Sequence, residues 1–189
     1  METVRKIRPV RPTLTERIDA IPFRRLVWVL PAALVGHEAE EWNIQRWYEA
    51  EFANPPVSSP FARYVGLFTV ALVGFLWTAV ACQLRTEQAT ARLVLPFFVV
   101  LVFSNNLQHI YWTVAFGSYA PGVVASALLG APLTILVSWQ AVRRGLASWR
   151  YVAVLYLLCI PLLVSTITAG RTVFPLIQLM HDFFSWLVA

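Results

Sequence analysis

Long runs of apolar residues dominate this chain and restrict the folds open to it. Runs of about 20 apolar residues can cross the hydrocarbon core of a bilayer as helices, and five such runs follow one another between residues 26 and 170. Charged residues make up only 13% of the 189 residues, whereas soluble domains average about 25%. This composition excludes a water-soluble globule and a disordered chain. The sequence predicts an all-α, polytopic integral membrane bundle.

The chain divides into a basic N-terminal tail over residues 1–25 and a transmembrane helical domain over residues 26–189. After the five spans, a further apolar segment at residues 172–188 is shorter than the roughly 20 residues that a span needs. It forms either a short sixth span, a re-entrant helix or an interfacial helix. The five spans are predicted at residues 26–48, 62–84, 92–113, 120–140 and 149–170.

The basic residues indicate how the bundle is oriented. With the N-terminus inside, twelve of the fifteen Lys and Arg residues fall on the cytoplasmic side, and only Arg46, Arg63 and Arg171 fall outside. Cytoplasmic segments of membrane proteins carry such an excess of positive charge. We therefore expect a cytoplasmic N-terminus and, if the source is bacterial, a location in the plasma (inner) membrane. The basic tail lacks the interleaved aromatic residues of a nucleic-acid groove, so we expect no nucleic-acid partner.

Ionisable side chains inside the apolar runs carry the functional signal, because charge is costly to bury in lipid. In the first span, His37, Glu40 and Glu41 are spaced i, i+3 and i+4, which places an imidazole and two carboxylates on one helix face. Glu38 lies about 100° away from that face. The three histidines of the chain, all within apolar segments, are His37, His109 and His181.

Two more polar faces complete the expected site. One lies on the third span and the other on the last apolar segment. At a rise of about 1.5 Å per residue, all three faces reach a similar depth in the outer half of the bilayer. We expect them to form one pocket that opens toward the outer leaflet. The two faces comprise Asn105, Gln108, His109 and Trp112 on the third span, and Gln178, His181, Asp182 and Ser185 on the last segment.

Imidazoles and carboxylates in this number suit a divalent metal ion. Three neutral imidazoles with an open position and a nearby carboxylate are typical of sites in which zinc activates a water molecule. We predict zinc as the metal and His37, His109, His181 and Glu41 as its ligands. Glu40 and Glu41 share the parts of fourth ligand and general base, and the sequence does not distinguish which of them takes which part.

The remaining site residues are predicted from the same polar faces and the tryptophans near them. We expect Asn105 to donate a hydrogen bond to a developing oxyanion. Because the pocket lies within the bilayer, its substrate is expected to be lipid-like. The whole pattern therefore predicts a membrane-embedded, metal-dependent hydrolase or transferase. The expected substrate contacts are Asn106, Gln108, Trp42 and Trp112.

The same residues permit other interpretations. A metal-free isomerase of a lipid or sterol-like substrate would use one carboxylate as acid and the other as base, and the tryptophans would stabilise a carbocation. A non-enzymatic protein would use the cluster to bind a lipid or an ion, or only to join helices by hydrogen bonds. A di-iron site is disfavoured because the carboxylates crowd one helix instead of being shared between several.

The pattern His-x-x-Glu-Glu over residues 37–41 resembles the motif after which the HXXEE-domain family of polytopic membrane proteins is named. That family has a further histidine downstream, and His109, preceded by Asn-Asn-Leu-Gln, matches it. Pro121 and Gly122 resemble the Pro-Gly entry into the family's next helix. The resemblance covers about residues 26–170. It implies a small helical membrane enzyme and names no substrate, since the family has no settled activity.

The Glu40-Glu41 pair also resembles part of the Glu-Glu-x-x-x-Arg motif of intramembrane CAAX-type proteases. Gln45 stands at the position where that motif has its arginine, and Arg46 follows one place later. The chain thus departs from the protease pattern at the residue that completes it. Intramembrane proteolysis therefore stays a minor alternative to the lipid reaction.

Overall fold

The computed structural model describes residues 13–173 and 175–188. The first four basic residues of the predicted tail therefore lie outside the described part of the chain. Every regular element within the described ranges is helical, and no strand occurs there. The predicted all-α class is confirmed.

The predicted first span is a broken helical run rather than one continuous helix. The break falls where polar residues follow one another closely, between His37 and Asn43, and a 3-10 turn replaces the α-helix there. Because of this break, the run is not among the helices long and apolar enough to cross a membrane. The N-terminal elements are α1 (Leu14–Asp19), α2 (Phe23–Leu26), α3 (Val29–Glu40), the 3-10 turn (Glu41–Asn43) and α4 (Ile44–Glu51).

Four helical stretches are long and apolar enough to cross a membrane. Their number differs from the five predicted spans because the first of those is the broken run. One stretch is a single α-helix, two contain a π-helical segment, and the last is interrupted at Leu158. They are α5 (Pro60–Cys82); α6 (Glu87–Leu95), a π segment (Pro96–Phe103) and α7 (Ser104–Phe116); α8 (Val123–Ala125), a π segment (Ser126–Gly130) and α9 (Ala131–Arg143); and α10 (Trp149–Leu157) with α11 (Cys159–Ala169).

The last apolar segment forms one short helix, α12 (Pro175–Leu187). Its 13 residues rise about 20 Å at 1.5 Å per residue, which is less than the thickness of a hydrocarbon core. The helix packs on α5, where a Cβ atom added to Gly66 would lie 3.0 Å from the ring of Phe184. It therefore covers the side of the bundle on which the first half of α5 lies.

The broken run extends from one end of the bundle to the other. At one end, the Arg24 guanidinium donates a hydrogen bond to the carbonyl of Leu84, just after α5. At the opposite end, Arg171, just after α11, forms an ion pair with Glu51 at 2.9 Å. Elements α3 and α4 thus lie alongside the four long stretches, and the polar residues at their junction reach the interior of the bundle.

Two clusters of buried side chains form the core. The first is aliphatic and aromatic and includes Phe23, Leu30 and Phe98. The second consists mainly of aromatic rings from α4, its C-terminal boundary and α7, among them Trp47 and Trp112. The Trp112 ring lies 5.2 Å from the ring of His109, centroid to centroid, so this aromatic cluster forms one wall of the polar site described next.

Candidate functional site

A histidine–carboxylate cluster forms where the broken run meets α7. His37 lies in the last turn of α3 and Glu41 opens the 3-10 turn, so their i, i+4 spacing brings the side chains together. His109 comes from the middle of α7. Glu41 Oε1 lies 2.9 Å from His37 Nε2 and 2.7 Å from His109 Nε2. One carboxylate oxygen therefore contacts both imidazoles.

The cluster is buried and has the donor atoms of a metal site. Each of His37, Glu41 and His109 is at most 9% exposed, and their ligand atoms all lie within 4.8 Å of one another. Two imidazole nitrogens and one carboxylate oxygen form the ligand set of many catalytic zinc sites, in which a further position stays open for water or substrate. The residues present therefore fit a divalent metal ion.

The other ring nitrogen of His37 has partners that orient it. Its Nδ1 lies 3.2 Å from the carbonyl oxygen of Gly122 and 3.1 Å from Ser126 Oγ. Because a carbonyl only accepts, the contact with Gly122 assigns the proton to Nδ1 and leaves Nε2 as the atom that faces Glu41. Metal-binding histidines commonly donate their second nitrogen to a carbonyl in this way.

Gly122 allows the backbone before α8 to approach the cluster closely. Its φ is +96°, in the left-handed region that side chains rarely adopt. A Cβ atom at this position would lie 2.8 Å from His37 Cε1 and 3.0 Å from His109 Nδ1. Only glycine therefore lets this carbonyl reach His37 without displacing both imidazoles.

The two asparagines of α7 lie on different sides of the cluster. Asn105 Nδ2 is 3.0 Å from His37 Nε2. The Asn106 carbonyl oxygen accepts a hydrogen bond from Ser126 Oγ at 3.0 Å, while its buried amide nitrogen has no hydrogen-bond partner among the described residues. Asn105 is thus in contact with the cluster, and Asn106 supports it through Ser126.

A cavity of about 280 Å³ adjoins the cluster. Most of its wall is apolar, and the side chains of Glu41 and His109 form part of it, so a bound molecule would meet the cluster directly. The polar and ionisable lining residues are Glu38, Glu41, Tyr48, Ser58, Arg63, Ser104, Asn105, Gln108, His109, Thr166 and His181.

The structure does not bring Glu40, a predicted catalytic residue, into the cluster. Its carboxylate instead accepts hydrogen bonds from the backbone N–H groups of Val124 at 3.0 Å and Ala125 at 2.7 Å, at the start of α8. The Tyr119 hydroxyl donates a third. This hydrogen bond to the carboxylate raises the pKa of Tyr119 to about 12, so the phenol keeps its proton to a higher pH than an ordinary tyrosine. In this position Glu40 caps a helix N-terminus.

His181, the predicted third imidazole ligand, also lies outside the cluster. Its Nδ1 is 2.9 Å from Ser58 Oγ, in the loop before α5. The group of described residues able to hold a metal consists of His37, Glu41 and His109 alone. The histidine lies away from His37 and His109 because α12 packs on α5 rather than beside α7. His181 does line the same cavity.

Of the four predicted substrate contacts, Asn106, Gln108, Trp42 and Trp112, only Gln108 is among the described residues that line the cavity. Gln108 lines the cavity and donates a hydrogen bond to Thr166 Oγ1 at 2.9 Å, and Trp112 is buried behind His109. Trp42 is 54% exposed and stacks on Tyr64, with ring centroids 4.0 Å apart, away from the cavity wall. Its position argues against a substrate contact.

Sequence reasoning missed Glu38 as a site residue. It is 8% exposed and lines the cavity beside Glu41. The angle of about 100° from His37 was the reason for leaving it out, but the cavity extends around α3 far enough to include it. Its i, i+3 spacing to Glu41 was the available signal. Gly122 and Ser126 had no signal as cluster contacts, since they lie far away in sequence.

The fold and the site define a helical protein with four apolar stretches and a buried cluster of two histidines and a glutamate. The model of a family described as proteins of unknown function with an HXXEE motif matches residues 28–137, more than half of the chain. The chain belongs to this family, as its motif suggested. The match includes the motif itself, Gly122 and His109.

The chain also has a curated relative. The chain is similar to the protein named "Uncharacterized protein YrkK" of Bacillus subtilis (strain 168), with 23% identity over 140 residues, which cover 74% of this chain and 79% of the relative. No solved structure matches the chain.

Proposed function

We propose that this protein is a membrane-embedded, metal-dependent hydrolase or transferase that acts on a lipid-like substrate. One observation carries the proposal: His37, Glu41 and His109 converge on a single buried point in the wall of a largely apolar cavity. Apolar cavities with a few convergent polar groups are the usual form of small-molecule sites. The cluster supplies the chemistry and the apolar wall supplies the affinity for a lipid.

The proposed setting is a bilayer, with the N-terminal end of the bundle in the cytoplasm and, in a bacterium, in the plasma membrane. Four long apolar stretches support it, and so does the distribution of charge. At the end that holds the start of the broken run, the described basic residues are Arg17, Arg24, Arg25, Arg85, Arg92, Arg143, Arg144 and Arg150, and at the other end they are Arg46, Arg63 and Arg171.

The residues of the cluster and two of their neighbours each have a proposed part in the reaction. His37 Nε2, His109 Nε2 and the Glu41 carboxylate would hold a divalent ion such as zinc, which supplies a Lewis acid for the oxygen of a carbonyl or phosphoryl group. Glu38, on the cavity wall, accepts the proton of the attacking water or alcohol. The amide of Asn105 donates a hydrogen bond to the oxygen that gains charge.

Metal content is the first test of this proposal. Full-length protein purified in a non-ionic detergent is expected to contain close to one divalent ion per chain by elemental analysis. The His37→Ala, His109→Ala double variant should lose it, because only one ligand remains. The matched control is His181→Ala, which removes a cavity imidazole outside the cluster and should keep the metal. Metal-free wild type, or equal loss in the control, would contradict the proposal.

A second measurement separates catalysis from metal binding. Glu38→Gln removes the proposed base and leaves all three ligands, so its metal content should match that of the wild type. We expect the host's membrane lipids to change in the same way in cells that carry Glu38→Gln and in cells that lack the protein. A folded, metal-loaded Glu38→Gln protein that restores the wild-type lipid profile would refute the part assigned to Glu38.

A metal-free acid–base isomerase is the second candidate function. The distances of 2.7 and 2.9 Å between Glu41 Oε1 and the two Nε2 atoms are also those of charge-assisted hydrogen bonds. Such a pairing would let Glu41 and an imidazole exchange a proton with a substrate. A preparation without metal that still converts a lipid would favour this candidate.

A further inference from the structure

A second polar cluster lines the cavity, formed by Ser58, Arg63 and His181. These residues come from the loop before α5, the first turns of α5 and the middle of α12. We propose that they bind the anionic group, a carboxylate or a phosphate, of a single-chain amphiphile whose hydrocarbon chain occupies the apolar part of the cavity. The inference rests on the proposed function only in taking this cavity as the substrate site.

Arg63 is the main evidence for an anionic ligand. It takes part in no ion pair within the described residues, and its Nε atom is buried there without a hydrogen-bond partner. The aromatic contact of its guanidinium is with the neighbouring Tyr64 ring, at 5.6 Å. A buried donor without a partner is costly, and the planar guanidinium matches a carboxylate or phosphate with two parallel hydrogen bonds.

The surroundings of Arg63 also favour negative charge. Arg63 lies close to the N-terminus of α5, a helix of 23 residues, and the N-terminal end of a helix dipole attracts anions. The Ser58 hydroxyl and the His181 imidazole, 2.9 Å apart, add hydrogen-bonding groups to the same wall. A neutral amphiphile would leave the guanidinium without a counter-charge, so the site selects for an acid.

The rest of the cavity determines where the chain of the ligand lies. Among the described residues that line the cavity, Arg63 is the one arginine or lysine, so the acid group of the ligand is expected to lie beside it rather than beside Glu38 and Glu41. Most of the remaining wall is apolar, which suits an acyl or alkyl chain. The apolar lining residues include Leu67, Val70, Phe97, Leu101 and Leu162.

The test compares ligands of equal chain length in the full-length, detergent-purified protein. Dodecanoate and dodecyl phosphate carry the two acid groups, dodecanol carries none, and inorganic phosphate has no chain. Binding is measured by titration for the wild type and for Arg63→Met, so partition of each ligand into micelles cancels in the ratio between the two proteins. We expect Arg63→Met to weaken binding of both acids roughly 10- to 100-fold and to leave dodecanol unchanged.

Two further variants keep the test decisive. Arg63→Lys retains the positive charge but not the planar guanidinium that can form two parallel hydrogen bonds. The affinity of this variant for the acids should therefore fall between those of the wild type and Arg63→Met. Arg150→Met is the matched control, since Arg150 also lies over a neighbouring ring, that of Trp149 at 5.7 Å, but does not line the cavity. It should bind both acids as the wild type does. Unchanged dodecanol binding shows that the Arg63 variants are folded.

Three results would overturn the inference. They are equal binding of the acids by Arg63→Met and the wild type, an equal loss of dodecanol and acid binding, and inorganic phosphate binding as tightly as dodecyl phosphate. The last would identify a free anion rather than an amphiphile as the ligand. None of these readouts involves metal or turnover, so failure here is distinguishable from failure of the proposed reaction.

Discussion

Glu41 holds the cluster together, because a single oxygen of its carboxylate contacts both imidazoles. Glu40, its neighbour in the motif, turns away and caps α8. Two adjacent glutamates thus differ completely in their surroundings: one is in the cavity wall and the other is bound to backbone N–H groups. The two are therefore expected to tolerate substitution very differently.

The first residue-scale prediction concerns Gly122. Gly122→Ala places a Cβ atom 2.8 Å from His37 Cε1 and moves the carbonyl that orients His37. Loss of such an orienting partner weakens metal binding about 10- to 100-fold, which a metal titration would measure.

Gly117→Ala is the control for Gly122→Ala. Gly117 also has a positive φ, of +67°, but nothing lies within 4 Å of an added Cβ atom. Both variants should lose about 1–2 kcal/mol of stability from backbone strain, and only Gly122→Ala should bind metal more weakly. Equal metal affinity in the two variants would show that the close approach of Gly122 has no part in orienting His37.

At the scale of elements, the cap on α8 leads to the next prediction. Glu40→Ala removes the acceptor for the N–H groups of Val124 and Ala125, and loss of a helix cap costs about 0.5–2 kcal/mol of unfolding free energy. Glu40→Gln keeps an acceptor oxygen and should lose less. Thermal unfolding in detergent measures both, with Glu49→Ala as the control because Glu49 is exposed and its one side-chain hydrogen bond among the described residues is with Gln45.

Metal content distinguishes this structural part for Glu40 from the metal-ligand part predicted from the sequence. If Glu40 is a cap, Glu40→Gln keeps its metal, whereas Glu41→Gln loses it. A Glu40→Gln protein that is folded but free of metal would restore Glu40 to the ligand set and contradict the position described above.

Periodicity within one element was enough to predict part of the site. The i, i+4 relation of His37 and Glu41 is a local property of α3 and the turn after it, and the structure agrees with it. His109 was indicated by its place within an apolar run and by the depth estimate, and the family resemblance matched it as well. Spacing could not show that the helix ends at Glu40, or that the Glu40 carboxylate points toward α8 rather than toward the cluster. The end of a helix depends on what its last residues contact, and here the contacts come from residues more than 80 positions later.

For the whole molecule, composition predicted the helical class and the apolar stretches, while long-range packing determined the site. The depth estimate placed His181 level with the other histidines, but depth says nothing about position around the bundle. Because α12 packs on α5, His181 joins Ser58 and Arg63 on another wall of the cavity. The depth estimate also treated residues 26–48 as one continuous helix, because it did not take into account the 3-10 turn that interrupts the helix after Glu40.

The orientation of the whole bundle gives the last prediction. In a background with Cys82→Ser and Cys159→Ser, which keeps both hydrogen-bond donors of these positions, single cysteines are introduced by Val57→Cys and Gln88→Cys. Val57 is 82% exposed in the loop before α5, and Gln88 is exposed in the first turn of α6, at the opposite end of α5.

The excess of positive charge lies at the end that holds Gln88, so that end should face the cytoplasm. A membrane-impermeant maleimide should therefore label Val57→Cys in intact cells and Gln88→Cys only after permeabilisation. The reverse pattern would invert the orientation, and equal labelling of both in intact cells would mean that no bilayer separates the two ends.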